Sequence, residues 1–419
     1  MREILALWRG SKPSPLEGEG RNVASKRAAF QVGGIERAAP PTRNAALQRI
    51  VSFLGAAGPA PSRSGPSFRG TLGRRQALKG GGFNSAGAGS FNSLDKAGIL
   101  GFTLFCGWLL LALPAHAEGT GRIFVSNEKG NVLTVLKAAD YSPVADIKTG
   151  ARPRGMAFSP DRKLLYVACG GANRIDIVDV ASMKVVDAIP KIDDPETFDL
   201  DKDGTHLFIS NEDAGALSIF DLATKKLVKS VKVGLEPEGV LLSPDGKTVY
   251  VASEGSNLVH VIDVASGHRT DIPTDTRPRR FALTPDGKEL WVSTELAGKV
   301  DIIDVATNKV TGSIDFLPPG MRREDVSPVA LVIDRAGKTG FVTLGRANHV
   351  GVVDVASHKV VDYILVGARP WGIIFDKEQK RLFVANGGSD DVSVIDAASH
   401  KVLKSVPVGR YPYGVAIDD

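Results

Sequence analysis

From about residue 120 onward, apolar and polar residues alternate at period two in short runs broken by turn residues. The stretch from Glu236 to Val264, EPEGVLLSPDGKTVYVASEGSNLVHVIDV, shows the unit. EGVLLS, TVYVAS and LVHVIDV predict three strands. Between the first two, Ser243-Pro244-Asp245-Gly246-Lys247 predicts a tight turn, because Pro presets φ and Gly supplies a positive φ later in the turn. Asp263-Val264-Ala265-Ser266-Gly267 predicts a second turn into a fourth, less regular strand. Four short strands joined by tight turns make an antiparallel meander.

The unit recurs. Its leading proline stands at Pro153, Pro195, Pro237, Pro278, Pro328, Pro370 and Pro412, at intervals of 42, 42, 41, 50, 42 and 42 residues. The aspartate closing the third strand keeps the same step at Asp179, Asp221, Asp263, Asp304, Asp354 and Asp396. Four strands per period of this length predict a β-propeller, since helical solenoids of similar period need a 3.6-residue rhythm that is missing here. The first repeat, RIFVSNEKGNVLTVLKAAD with PVADIKTG, has no leading proline motif, and YPYGVAIDD at the far end is an inner strand with nothing after it. The strand from Tyr413 to Ile417 is therefore expected to complete the first blade, closing a ring of seven and leaving no free sheet edge. The expected fold class is all-β: a seven-bladed propeller of four antiparallel strands per blade, over residues 118–419.

Residues 1–95 differ. They are rich in Gly, Ala, Ser, Arg and Pro without an apolar period, and read as a disordered or mis-assigned N-terminal extension, with a start further downstream preferred. Residues 96–117 read as a signal peptide: Lys96, an apolar run from Ile99 to Leu113, and Ala115-His116-Ala117 as a small-x-small cleavage site. The run is too short for a comfortable membrane span, so cleavage after Ala117 and a periplasmic location are expected in preference to an uncleaved anchor. Cys106 lacks a lipoprotein approach, and Arg74-Arg75 stands too far from the apolar run for a twin-arginine signal.

Charge changes with this division. Residues 1–117 carry 15 of the 52 Lys and Arg but only 5 of the 47 Asp and Glu, leaving the remainder with 37 against 42, a net of −5. The basic balance belongs to the leader, so nucleic acid is not an expected partner. Cys169 is then the lone cysteine, expected to be a buried structural thiol.

The strand order puts the loops on two faces. The first-to-second and third-to-fourth turns share one face, nearly the same in every blade, as at Ser159-Pro160-Asp161, Thr284-Pro285-Asp286-Gly287 and Asp304-Val305-Ala306-Thr307. That face reads as structural. The other face carries x-Pro-x triplets leading into the inner strands: Arg152-Pro-Arg154, Asp194-Pro-Glu196, Glu236-Pro-Glu238, Arg277-Pro-Arg279, Ser327-Pro-Val329, Arg369-Pro-Trp371 and Tyr411-Pro-Tyr413. Two acidic blades lie between two basic ones, with an aromatic and arginine sector opposite. Arg280 stands where Gly155, Gly239, Gly372 and Gly414 stand in other blades.

The candidate binding residues are Arg152, Arg154, Glu196, Glu236, Glu238, Arg277, Arg279, Arg280, Arg369, Trp371 and Tyr413. Arg322 and Arg323 join them, from the insertion FLPPGMRRED that breaks the repeat length. Such a funnel suits an anionic or planar polar ligand, with Arg as bidentate donor and Trp371 or Tyr413 as a stacking face. The opposing reading is that these charges pair across the ring and satisfy one another. The same face carries Asn127-Glu128, Asn211-Glu212-Asp213, Glu254 and Glu295 in the second-to-third-strand loops.

Recognisable catalytic and metal motifs are sparse. Asp199-x-Asp201-x-Asp203-Gly204 opens like a calcium loop, but Ser210 stands where the bidentate glutamate belongs, so an ordinary turn is expected. The histidines show no metal-ligand spacing. There is no CxxCH and no GxSxG, and no cofactor or metal is expected.

The segments LYVACGGANRIDIVDVASMKVV and LFVANGGSDDVSVIDAASHKVL resemble the YVTN β-propeller repeat. FISNEDAGALSIFDLATKKLV, RPRRFALTPDGKELWVSTELAGKV and GRANHVGVVDVASHKVVDYILVG bring the resemblance closer to the β-propeller proteins associated with catabolism dependent on pyrroloquinoline quinone (PQQ). That resemblance implies a periplasmic accessory of PQQ-dependent alcohol oxidation, and with no catalytic constellation visible a non-catalytic monomer is expected. Its implied partner is a periplasmic PQQ-dependent dehydrogenase or its electron-transfer components. PQQ itself is not expected in this chain, which lacks the adjacent cysteines and tryptophan-bearing repeats of the quinone-carrying dehydrogenases. Two alternatives stand: a lactonase-like propeller enzyme, with an acid–base pair among Arg154, Glu196, Glu238 and Arg279, and a cell-surface adhesion module.

Overall fold

The computed structural model describes residues 119–419; the readings of an extension over 1–95 and of a signal peptide over 96–117 lie outside these residues. Seven four-stranded antiparallel sheets account for the described chain, and its helical content is three single turns of 3-10 helix. The expected all-β propeller is the fold observed.

Blade 1 is the composite one. Its inner strand is Pro412–Asp418, followed outward by Arg122–Asn127, Val132–Lys137 and Pro143–Lys148. Val415 pairs with Val125 and Ile417 with Ile123, so the last strand closes the ring as the repeat boundaries foretold. The other inner strands are Pro153–Phe158, Pro195–Leu200, Pro237–Leu242, Pro278–Leu283, Pro328–Ile333 and Pro370–Phe375, in blades 2 to 7. Each lies beside the inner strands of its two neighbours, and together they line the channel.

The second and third strands of each blade are buried on both faces, which is why LYVAC, VYVAS and LFVAN carry few charges. Their side chains fill the wedges between blades. Tyr166 and Ile175 of blade 2, for example, meet Leu207 and Ile209 of blade 3. Fourth strands are exposed and rich in lysine, as in KLVKSVK at Lys226–Lys232, a charge pattern that discourages edge-to-edge pairing.

The insertion after blade 5 is anchored. Gly351 leaves a gap in the third strand of blade 6, and Phe316, fully buried, packs its ring against that glycine. Val326 is also buried, so both ends of the insertion are tied to the core between blades 5 and 6.

Every inner strand carries the same irregularity. The ladder of blade 2 runs from Pro153 opposite Cys169 to Met156 opposite Val167, so three steps on one strand match two on the other. The same bulge follows Pro195, Pro237, Pro278, Pro328 and Pro370, and blade 1 has its counterpart between Pro412 and Gly414. A bulge re-aims the residues it holds. Here those residues follow each proline: Arg154, Glu196, Glu238, Arg279, Val329, Trp371 and Tyr413.

Candidate functional site

The residue before six of the seven prolines is held as unusually as the one after. Arg152, Asp194, Glu236, Arg277, Arg369 and Tyr411 all have φ between 39° and 64°, a left-handed conformation that costs energy in residues with a side chain. A side-chain acceptor from the preceding blade steadies five of them. Asn131 Oδ1 accepts the Arg152 N–H at 3.1 Å, Asn173 that of Asp194 at 3.1 Å, and Asn257 that of Arg277 at 2.9 Å. Asn348 serves Arg369 at 2.9 Å, and Asp390 serves Tyr411 at 2.7 Å. Blades 3 and 5 have Gly215 and Gly298 where the others have Asn or Asp, and Glu236, next in the ring after Gly215, has no such lock. Glu236 is exposed, without an ion-pair partner among the described residues.

Two charge clusters meet at the mouth. In the first, Arg152 pairs with Asp194 and Glu196, each at 2.9 Å, while Arg154 pairs with Glu196 and, at 3.1 Å, with Glu128. In the second, the buried Arg279 reaches Glu254 at 2.7 Å, Glu295 at 2.9 Å and Glu238 at 3.0 Å. Arg277 binds the same Glu254 and Glu295 at 2.6 and 3.1 Å. Between the clusters, Trp371 and Tyr413 stack at 5.6 Å. Arg279 and Arg369 lie 5.2 and 4.7 Å from the Trp371 ring, and Arg154 and Arg280 lie 5.0 and 5.6 Å from that of Tyr413. The sectors expected on opposite sides of the ring thus converge over the channel, and much of the charge pairs internally. Tyr413 is buried and its ring already occupied, so neither it nor Trp371 is the open stacking face expected.

Arg280 crosses the channel. It donates to Thr197 Oγ1 at 2.7 Å and Glu238 Oε1 at 2.8 Å, and also contacts the Tyr413 hydroxyl. Tyr413 in turn donates to Glu238 at 2.9 Å. Below this bridge is a cavity of about 240 Å³ with Arg154, Thr197, Arg280 and Tyr413 at its polar end and Met156, Phe281, Leu331, Ile373, Ile374 and Val415 along its walls. Thr197 was missed in the sequence. The one signal was its place in the series Gly155, Thr197, Gly239, Arg280, Ala330, Gly372, Gly414. Glu128, Glu254 and Glu295 were legible only as members of the right face.

Arg322 and Arg323 do not join the site. Arg322 pairs with Asp325 at 2.7 Å and Arg323 with Asp315 at 2.7 Å, both within or beside the insertion. Their sequence neighbours supply the nearest carboxylates, and short-range pairing wins.

The carboxyls of the mouth are driven to different protonation states. Burial, then the Glu238 charge, raises the Glu196 carboxyl well above its usual range. Burial acts on Glu238 too, but Arg279, Arg280 and Arg154 outweigh it and hold that group well below. Burial and Glu238 push Glu254 up to about 8 against the pull of Arg279 and Arg277. Six arginines thus face six paired carboxyls, two of which, Glu196 and Glu254, burial pushes toward the neutral form. Asp194, Glu196 and Glu212 bring ligand atoms within 4.8 Å of one another, but Arg152 and Arg154 already pair with the first two.

One buried constellation imitates a hydrolase. Ser253 Oγ lies 2.9 Å from His260 Nε2, and His260 Nδ1 lies 2.7 Å from Asp271. However, the Gly234 N–H donates to His260 Nε2 at 2.9 Å, which fixes Nε2 as acceptor and occupies the lone pair a general base needs. Asp176 holds the Gly150 N–H at 2.7 Å and Asp301 the Asp275 N–H at 2.7 Å from equivalent strand positions. His260 is a tether between blades. The Asp199–Gly204 turn is also structural: Asp201 accepts the Thr205 and His206 N–H groups, and Asp199 that of Leu242 in the next blade.

With this geometry in view, residues 131–245 match the family described as YNCE-like beta-propeller, and residues 208–382 match the Choice-of-anchor I domain. Both support one conclusion. The chain is a β-propeller protein. No curated protein matches its sequence. Among solved structures, the propeller is similar to the periplasmic gluconolactonase of Pseudomonas aeruginosa, at 22% identity and a TM-score of 0.61, over 71% of this chain and 99% of that one. It is also similar to the hydrazine synthase of Kuenenia stuttgartiensis, at 24% identity and 0.57, over 62% of this chain and 88% of that one. A third similar structure is the dihydro-heme d1 dehydrogenase NirN, at 16% identity and 0.56, over 74% of this chain and 78% of that one. These likenesses establish the shared fold and leave function to the site. No helix among the described residues is long and apolar enough to cross a membrane.

Proposed function

We propose that the propeller is a non-catalytic binding protein of the periplasm, accessory to PQQ-dependent alcohol oxidation, whose x-Pro-x mouth takes a small carboxylate. One observation carries the binding reading. Three buried donors at the mouth, Arg154 Nε, Arg279 Nε and Trp371 Nε1, have no acceptor among the described residues. Buried polar groups are almost always satisfied, so three orphaned donors at the mouth, with Arg154 lining the cavity itself, favour a ligand that brings acceptors. The neutral tendency of Glu196 and Glu254 leaves the arginines in excess and adds to the attraction. The apolar walls below suit a short hydrocarbon body. The PQQ association rests on the sequence resemblance, and carboxylates are the chemical end-products of alcohol oxidation.

Titration calorimetry with benzoate, comparing the native propeller with Arg280→Gln, tests the binding. We expect saturable binding that weakens at least tenfold in the variant. Equal binding by both proteins, or none by the native one, rejects the reading. A deletion strain grown on an alcohol, with periplasmic PQQ-dependent dehydrogenase activity assayed, tests the association: unchanged growth and activity reject it.

A second reading, a lactonase-like enzyme, has one observation in its favour. Burial raises the Glu196 carboxyl while arginines lower that of Glu238 in the neighbouring blade, and carboxyls pushed apart in this way are what acid–base catalysis uses. Hydrolysis of glucono-δ-lactone by the native propeller, abolished in Glu196→Gln, would establish it in place of the first.

A further inference from the structure

The turn face read as structural on its sequence contains the wider mouth of the channel. A cavity of about 670 Å³ opens there and shares Phe281, Leu331 and Ile374 with the smaller cavity at the other end. Its walls add the half-buried Leu283, Ile333 and Phe375.

Its rim is where the turn chemistry departs from the repeat. The second position of the first-to-second-strand turn is proline in blades 2, 4 and 5 (Pro160, Pro244, Pro285), but Lys202 in blade 3, Arg335 in blade 6 and Lys377 in blade 7. The fourth position is glycine at Gly246, Gly287 and Gly337, with φ of 72°, 72° and 65°. Blades 2 and 7 force Arg162 and Gln379 into the same left-handed conformation, at 57° and 56°, where glycine is unstrained. Four of these five departures, Arg162, Arg335, Lys377 and Gln379, line the same cavity, and Lys202 does not. Backbone strain accepted twice on one rim, at Arg162 and Gln379, beside two exchanged prolines, is a mark of function more than of folding.

The charges point to a class of ligand. Arg162 is neutralised by Asp418 at 2.7 Å. The Asp376 carboxylate accepts the Lys380 and Arg381 N–H groups at 2.8 and 3.1 Å, and Asp419 accepts that of Lys377 at 2.7 Å. Arg335 and Lys377 are exposed and have no ion-pair partner among the described residues. We propose that this turn-side mouth is a second, independent binding site for an amphiphilic carboxylate, its head between Arg335 and Lys377 and its apolar body along Phe281 and Phe375. The cavity falls within the size range of small-molecule sites. A ligand here meets apolar walls deeper in the channel and cations only at the surface, which is the order an amphiphile needs.

Octanoate is the probe, measured by calorimetry against octan-1-ol as its uncharged counterpart. The expected result is a saturable octanoate site that survives in Arg280→Gln and is at least tenfold weaker in the Arg335→Glu, Lys377→Glu double variant. Both substituted side chains are exposed, so an unaltered melting temperature verifies that the fold is intact. Octanoate bound equally by the double variant, lost in Arg280→Gln, or matched in affinity by octan-1-ol would overturn the proposal, as would no saturable binding.

Discussion

Arg280 of blade 5 and Thr197 of blade 3 are joined across the channel by a 2.7 Å hydrogen bond from the guanidinium to the threonine hydroxyl. Four blades place glycine at this position, and at Gly239 and Gly372 the neighbouring inner strand is too close for a side chain. A Cβ on Gly239 would lie 2.0 Å from the Arg279 carbonyl oxygen, and one on Gly372 would lie 2.6 Å from that of Tyr413. Only where the series is broken does a long side chain enter the lumen, and it is the one that spans it.

Replacing Arg280 with glutamine removes the bridge without leaving Glu238 alone, since Arg279 and Tyr413 still donate to it. We expect a loss of about 1–3 kcal/mol, the worth of charge-assisted hydrogen bonds in a partly buried setting. Urea unfolding measures it, and the cost should be smaller than that of Glu238→Gln.

Glu238→Gln is the more damaging change. It takes the negative charge from between Arg279 and Arg280, and while Arg279 keeps Glu254 and Glu295, the largely buried Arg280 is left with no carboxylate partner. A destabilisation of about 3–5 kcal/mol is expected. Glu238→Gln combined with Arg280→Gln should recover part of it, a coupling that a double-mutant cycle reads directly.

Stability should fall as pH rises through the acidic range because of Asp301. Burial raises its carboxyl to about 6 from an ordinary 3.8, so the folded state binds more protons than the unfolded one between these values. Stability gained from this group is fully present below about pH 4 and is lost by pH 7, amounting to roughly 2–3 kcal/mol. Asp301→Asn keeps an acceptor for the Asp275 N–H and should flatten that part of the curve. Urea midpoints at pH 5 and pH 7.5 decide it.

Benzoate binding at the x-Pro-x mouth should weaken as pH rises through about 8. Glu254 titrates there, and its ionisation removes the local excess of positive charge. Glu254→Gln should abolish that pH dependence while leaving the affinity at pH 6.5 within a few-fold of native.

Deleting the last nine residues should prevent cooperative folding. They form the inner strand of blade 1, bury Tyr413, Ala416 and Ile417, and leave two sheet edges unpaired when lost. Circular dichroism melting of the shortened chain is the check: a sharp transition near the native temperature would show that the ring does not depend on this closure.

What the sequence determined by itself is whatever repeats. Strand alternation, proline and aspartate spacing and turn residues are local signals stated seven times. They were enough for the blade count, the split first blade, the two faces and the burial of Cys169, whose Sγ lies in the core. The x-Pro-x residues were legible as a group for the same reason, since each stands at a fixed step from its proline. The tertiary structure alone decided what these residues do to one another. Glu238 and Tyr413 are 175 residues apart, and Arg280 and Thr197 are 83 apart. No periodic signal carries the bulge that swings them inward, the ring geometry that brings non-adjacent blades within hydrogen-bonding reach, or the competition that pairs Arg323 with Asp315. The turn-side mouth was hidden by the same logic in reverse. Its residues look like slightly irregular turns until the closed ring gathers four irregularities around one cavity.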